Sequence, residues 1–106
     1  MLRRLFGLWF IGILMGAVPA AAQDIYPNRP IRWVVPFPAG GPTDTLSRIL
    51  AAKLGDVWKP GIVIENKGGA AGAIGTDFTA KAAPDGYTIM LGTQSTNGSN
   101  KIFYPN

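Results

Sequence analysis

Two short apolar runs, Ile31 to Phe37 and Ile62 to Glu65, each pass through a glycine-rich turn into a stretch of helical periodicity. This repeated order restricts the fold more than any other feature of the chain. Ile31 to Phe37 is nearly all β-branched, aromatic or proline, with little polar alternation, and suits a strand covered on both faces as in a parallel sheet. Leu46, Ile49, Leu50 and Leu54 then repeat at helical spacing, with Gly55 where a C-cap glycine belongs. Trp58-Lys59-Pro60-Gly61 signals a turn ahead of the second strand. That strand opens into Asn66 to Gly72, after which Ile74, Phe78 and Ala82 mark one helix face as far as Pro84. Pro84-Asp85-Gly86 makes a tight turn, and Tyr87 to Leu91 is a third strand that empties into the polar loop Gly92 to Asn100. The expectation is an α/β fold of order β-α-β-α-β with right-handed parallel connections. If the first strand lies between the other two, the helices cover opposite faces. The loops after the first and third strands then diverge at a switch point, where open α/β sheets bind ligands.

The residues before Gln23 obey different rules. Arg3 and Arg4 precede the apolar stretch Leu5 to Val18, and Pro19 then introduces Ala20-Ala21-Ala22. This is the order of a secretory signal peptide, cut between Ala22 and Gln23. The rival reading is a retained membrane anchor, against which the apolar run falls short of the roughly 20 residues a spanning helix takes. Export with a removed leader, and hence no stable membrane insertion, is the expectation.

Subtracting Arg3 and Arg4 from the formal charge of +4 leaves +2 for the exported part. Arg29, Arg32, Arg48, Lys53, Lys59, Lys67, Lys81 and Lys101 are scattered singly, whereas a phosphate-tracking surface needs a cluster, so no nucleic-acid partner is expected. Cysteine and histidine are absent, which excludes thiol catalysis, His-dependent triads and Cys or His metal ligands. Catalysis would fall to six carboxylates, Asp24, Asp44, Asp56, Glu65, Asp77 and Asp85, and no two form an evident acid and base pair in sequence.

The glycine turns carry the chemistry that remains. With Gly41 as N-cap, Pro42 falls at the first helical position, where its fixed φ suits the helix and its missing N–H costs nothing. Gly40 and Gly41 let the backbone approach a ligand closely, and the free N–H groups and dipole of the first helical turn favour a carboxylate or phosphate. Asp44 sits awkwardly there. It accepts hydrogen bonds from a ligand hydroxyl, ammonium or water, or it caps its own helix and pairs with Arg48 one turn on; the residues alone leave both readings open. Gly68, Gly69, Gly72 and Gly75 occupy the equivalent place after the second strand, either as a second anion nest or merely to turn the chain.

Nucleotide chemistry is the sharp competitor. Gly69, Gly72 and Gly75 run G-x-x-G-x-x-G, with no G-x-G-x-x-G register and no G-x-x-x-x-G-K-[ST] anywhere. Asn97-Gly98-Ser99 matches the glycosylation tripeptide but reads as loop.

The stretches YPNRPIRWVVPFPAGGPTD (Tyr26 to Asp44), VIENKGGAAGAIG (Val63 to Gly75) and APDGYT (Ala83 to Thr88) occur in this order behind the leader. They resemble successive signature stretches of the periplasmic substrate-binding proteins of tripartite tricarboxylate transporters, the Bug receptors, over nearly all of Tyr26 to Tyr104. The resemblance implies a type II periplasmic-binding-protein fold, a venus flytrap of two α/β lobes that closes on a small organic carboxylate and delivers it to membrane transporter subunits. It implies a non-enzymatic protein, and nothing in the sequence calls for a metal or an organic cofactor. Carried over residue by residue, Phe37, Ala39, Gly40, Gly41 and Asp44 form the first ligand loop, and the backbone of Gly69, Ala70, Ala71 and Gly72 holds the carboxylate. Thr93, Ser95 and Asn97 line the cleft after the third strand. This chain departs from the family pattern at Gly68, usually proline, and at Ala71, usually glycine. Residues 23–106 then correspond to part of lobe one, with the second lobe absent, and a half cleft of this kind is expected to bind weakly. The other function classes are a truncated secreted α/β module without transport activity and a phosphate- or nucleotide-binding enzyme domain.

Export should leave a mature N-terminus at Gln23. Intact mass of the chain recovered from the periplasmic fraction tests this, and a membrane-bound product that keeps Arg3 and Arg4 would establish the anchor instead.

Overall fold

The computed structural model of the chain describes residues 24–103. The leader, its cut between Ala22 and Gln23, and Tyr104 lie outside the described residues. The elements are β1 (Ile31–Val35), α1 (Pro42–Gly55), β2 (Ile62–Asn66), α2 (Ala73–Ala80), β3 (Thr88–Met90) and a short α3 (Asn100–Phe103). The three strands form one parallel sheet in the order β2-β1-β3. Ile31 to Val35 align with Ile62 to Asn66 on one side, and Arg32 to Val34 align with Thr88 to Met90 on the other.

β1 is central because it is the strand that buries on both faces. Ile31, Val34 and Val35 are fully buried and Trp33 nearly so, although its indole N–H has no acceptor among the described residues. The crossover β1-α1-β2 and the crossover β2-α2-β3 run in opposite directions across the sheet, and right-handed connections of this kind put α1 and α2 on opposite faces. Arg32, pointing to the α2 side, stacks over the Phe78 ring at 5.5 Å, while Lys67 approaches the same ring at 4.1 Å. Both cations also pair with Glu65, at 3.1 and 2.9 Å.

The expected boundaries shift where backbone chemistry intervenes. β1 ends at Val35 and not at Phe37, because Pro36 has no N–H with which to continue a ladder. The Val35 carbonyl takes its bond from Lys67 N at 2.8 Å, so β2 runs one residue further than the apolar run, to Asn66. α1 opens as the residues dictate, with Gly41 extended at the N-cap and Pro42 first in the helix, but Gly55 is its last residue and Asp56 caps it. The polar stretch after β3 is not an open loop: Ser95–Ser99 winds into a wide π-type helical turn that runs on into α3, and takes Asn97-Gly98-Ser99 with it.

The face that α1 buries among the described residues is not its apolar repeat. Its apolar repeat faces outward, with Leu46, Ile49 and Leu50 at 49%, 57% and 38% exposure, and the buried positions are Asp44, Ser47 and Ala51. Small side chains let the helix lie close to the sheet, and Asp44 is admitted because its carboxylate is fully hydrogen-bonded. α2 makes the same kind of approach at Gly75. A Cβ there would stand 2.7 Å from Pro36 Cβ, 2.8 Å from its Cα and 2.9 Å from the Lys67 carbonyl.

Two of the three signature stretches meet at the far end of the sheet, before β1 and β3. Tyr26 donates its hydroxyl to the Gly86 carbonyl, and Asn28 exchanges two hydrogen bonds with the Tyr87 hydroxyl at 3.0 and 2.8 Å. Arg29 pairs with Asp85 at 2.9 Å and lies 4.0 Å over the Tyr87 ring. These residues staple the entry to β1 onto the turn before β3, and so belong to the frame of the fold.

Replacing Gly75 by alanine should destabilise the protein by about 1–3 kcal/mol, since overpacking against Pro36 outweighs the roughly 1 kcal/mol that alanine normally adds to a helix. Urea unfolding measures the sign, and a stabilised variant would mean that α2 sits farther from β1 than described.

Candidate functional site

All three loops proposed to receive a ligand leave the C-terminal ends of the parallel strands, so the sheet brings them to one edge. They meet at Gly72. A Cβ on this buried residue would lie 2.6 Å from Thr96 Cγ2 of the third loop, 3.3 Å from Phe37 Cζ of the first and 3.5 Å from the Pro36 carbonyl. Only glycine closes this junction, because its φ of +91° also lies in the left-handed region. The third loop is tied on by Asn100, whose Nδ2 donates to the Ala71 carbonyl at 2.9 Å.

The first loop presents Ala39 and Gly40 to solvent, with Phe37 and Gly41 half-buried. Asp44 is 3% exposed. Its Oδ2 accepts from Arg48 Nε and from the Gly40 amide, both at 2.9 Å, and its Oδ1 accepts from Asn66 Nδ2 at 2.9 Å. Those bonds, from Arg48 first, then Gly40 and Asn66, outweigh burial and lower the carboxyl from 3.8 to about 2. Asp44 therefore stays ionised wherever an organic carboxylate is ionised, with Arg48 balancing its charge. The pairing with Arg48 is present, whereas α1 takes no side-chain cap: the amide bonded to Asp44 is that of Gly40, one residue before the N-cap. Gly40 spends its N–H on Asp44, while the N–H groups of Gly41 and Thr43 have no partner among the described residues and stand at the α1 N-terminus.

The second loop holds an unusual backbone. Gly69, Ala70, Ala71 and Gly72 have φ of +126°, +48°, +52° and +91° in succession. Left-handed alanines are costly, and such strain persists only where surrounding contacts determine it. Gly72 N bonds back to the Gly69 carbonyl at 3.0 Å and Ala73 N to that of Ala70. The Ala70 and Ala71 amides are left without a partner among the described residues, on an exposed turn.

In the third loop Thr93, Ser95 and Asn97 come together around Thr96, which lies within the same stretch. Thr96 Oγ1 accepts from the Thr93 amide at 2.7 Å and lies 3.1 Å from both the Thr93 carbonyl and Asn97 Oδ1. Thr93 and Ser95 share a hydroxyl contact at 2.9 Å. The structure adds Arg48 and Asn66 to the site: Arg48 stands one helical turn from Asp44, and Asn66 lies two residues before Gly68.

A concavity of about 620 Å³ lies elsewhere, between Arg29, Arg32, Phe78, Lys81 and Tyr87. Its cations are already matched, Arg29 to Asp85, Arg32 to Glu65 and Lys81 to Asp77, so it offers no unbalanced charge to an anion. No group of metal-ligating side chains gathers among the described residues. No helix among them is long and apolar enough to cross a membrane.

Comparison with known proteins fixes the class. Residues 46–106 match the tripartite tricarboxylate transporter family receptor, and the chain belongs to that family. Protein BugT of Bordetella pertussis is 50% identical over 88 residues, which cover 80% of this chain and 27% of BugT. MatC from Rhodopseudomonas palustris, solved with bound malate, is 40% identical with a TM-score of 0.72 over 76% of this chain and 28% of its own. Another R. palustris protein, solved with adipate, is 42% identical with a TM-score of 0.63 over 65% of this chain and 23% of its own. The fold is thus the α/β fold of periplasmic binding proteins of this family, and the chain spans about a quarter of the length of the relatives it matches.

Ala71→Gly tests the strain directly. Release from the left-handed region is worth about 1–2 kcal/mol, and the freer unfolded chain returns about 0.4–1 kcal/mol of it. The variant should gain roughly 0.5–1 kcal/mol in chemical unfolding; a loss of stability would mean that the turn holds Ala71 without strain.

Proposed function

We propose that the chain is part of lobe one of a periplasmic solute-binding protein that receives a small organic carboxylate and hands it to a tripartite transporter in the membrane. The reading rests on one observation above all: three strand-end loops converge at Gly72 and leave the amides of Gly41, Thr43, Ala70 and Ala71 without a partner among the described residues, near the N-termini of α1 and α2. Amide donors backed by a helix dipole bind a carboxylate without a positively charged side chain. Malate and adipate in two related structures supply the ligand class: small aliphatic dicarboxylates.

The same geometry argues for binding without catalysis. Asp44 stands at the first of these loops, and both its oxygens are engaged, so this carboxylate is not poised to move a proton on a bound ligand. Export and removal of the leader between Ala22 and Gln23 agree with the periplasmic setting of the family. Residues 23–106 then form one wall of a cleft whose other wall belongs to a second lobe. A single wall leaves the ligand exposed to water and salt, which weakens its binding relative to an enclosed cleft.

Titration of the isotope-labelled chain with malate and with adipate tests the proposal. Saturable shifts of the Gly41, Thr43, Ala70 and Ala71 amides, weakened by added salt, are expected. A folded sample that responds to ATP but to neither dicarboxylate would replace this reading with the nucleotide one.

A further inference from the structure

The first loop has no secondary structure of its own, and its shape is imposed from β2. Asn66 is the last residue of that strand and is half-buried. Its Nδ2 donates to the Phe37 carbonyl at 3.2 Å and to Asp44 Oδ1 at 2.9 Å, while its Oδ1 accepts from Arg48 Nη2 at 3.3 Å. Arg48 Nε returns to Asp44 Oδ2 at 2.9 Å, which closes a ring of three side chains. The ring grips the loop at two points, the Phe37 carbonyl where the chain leaves β1 and the Gly40 amide just before α1 begins. Between them lie Pro38 and Ala39, and Gly40 itself is left-handed.

We infer that Asn66 is a positioning residue for the ligand-receiving loop: acting through Asp44 and the Phe37 carbonyl, it presets Phe37 to Gly41 so that the Gly41 and Thr43 amides face the ligand. The inference rests on the carboxylate-receptor reading. Position 66 calls for two donors and one acceptor in a short side chain, which asparagine provides. Aspartate would set a second carboxylate against Asp44 and the Phe37 carbonyl. Alanine would leave the carbonyl and Asp44 Oδ1 without their donor, and a half-satisfied buried network is worse than none. Because the ligand's donors are backbone groups, their direction is the loop's direction, and a loop free to sample other shapes reduces affinity by the fraction of time it is misdirected.

The test uses nuclear magnetic resonance of the chain with malate as the probe. In the wild type the Gly40 amide should resist solvent exchange, and the Asp44 carboxyl should titrate well below the ordinary carboxylate range. Asn66→Ala and Asn66→Asp should expose the Gly40 amide, return the Asp44 titration toward normal and weaken malate binding about tenfold or more. The Ala70 and Ala71 amides, on the other loop, should keep their ligand-free shifts. A role confined to stability would lower the melting temperature of folded Asn66→Ala without changing malate affinity, and that result overturns the inference. Should Asn66→Ala not fold, Arg48→Lys breaks the ring at the Asn66 oxygen while keeping the charge. It should weaken malate about threefold, and unchanged affinity there, or an unprotected wild-type Gly40 amide, is equally decisive against the role. If wild-type protein binds neither malate nor adipate yet protects Gly40, the receptor reading has failed and the positioning role with it, and the ring is a fold element only.

Discussion

The burial of β1 on both faces is the constraint from which the rest of the arrangement follows. Ile31, Val34 and Val35 are fully buried, and β1 is the strand with hydrogen-bonded neighbours on both edges. A strand in that position needs a helix over each face and a partner at each edge, which fixes the order β2-β1-β3 and the opposed crossovers. It also gathers the three strand-end loops at one edge. Pro36 ends the ladder where the first loop begins, so the residue that stops the strand is also the surface on which α2 rests through Gly75.

Charge balance decides what the loop edge can attract. An aspartate at the mouth of the proposed anion site is a contradiction if its charge is free, and Asp44 is not free: Arg48, the Gly40 amide and Asn66 satisfy it. These partners turn a potential repulsion into a brace, and the field at the α1 N-terminus is left to the helix dipole and its open amides. On the neighbouring loop, the left-handed Ala70 and Ala71 turn their amides outward at a cost in backbone strain, held by the Gly72 junction and by Asn100. Both loops therefore offer backbone donors whose directions depend on contacts elsewhere.

Close approach is the theme common to the places where the sequence misleads. Leu46, Ile49 and Leu50 form the visible apolar repeat of α1, yet Ser47 and Ala51 are what the helix buries, because a helix lying near a sheet needs small side chains beneath it. Gly72 and Gly75 look like ordinary turn and helix glycines, and their necessity appears only when Thr96, Phe37 and Pro36 are seen beside them. Asn66 reads as the polar end of a strand. Its partners lie 18, 22 and 29 residues away, beyond the reach of any local pattern.

By itself the sequence determined the α/β class, the order of elements, the Gly41-Pro42 helix entry and the family, because periodicity, proline and glycine act within a few residues of where they stand. It also singled out the loops, since glycine turns at strand ends are local signals. Tertiary structure alone decided which helix face is buried, which loop amides remain free, and that Asp44 is braced by Arg48 and Asn66 instead of standing open. Those outcomes depend on distances between segments remote in the chain, and such distances are set only when α1 and α2 close over the two faces of β1.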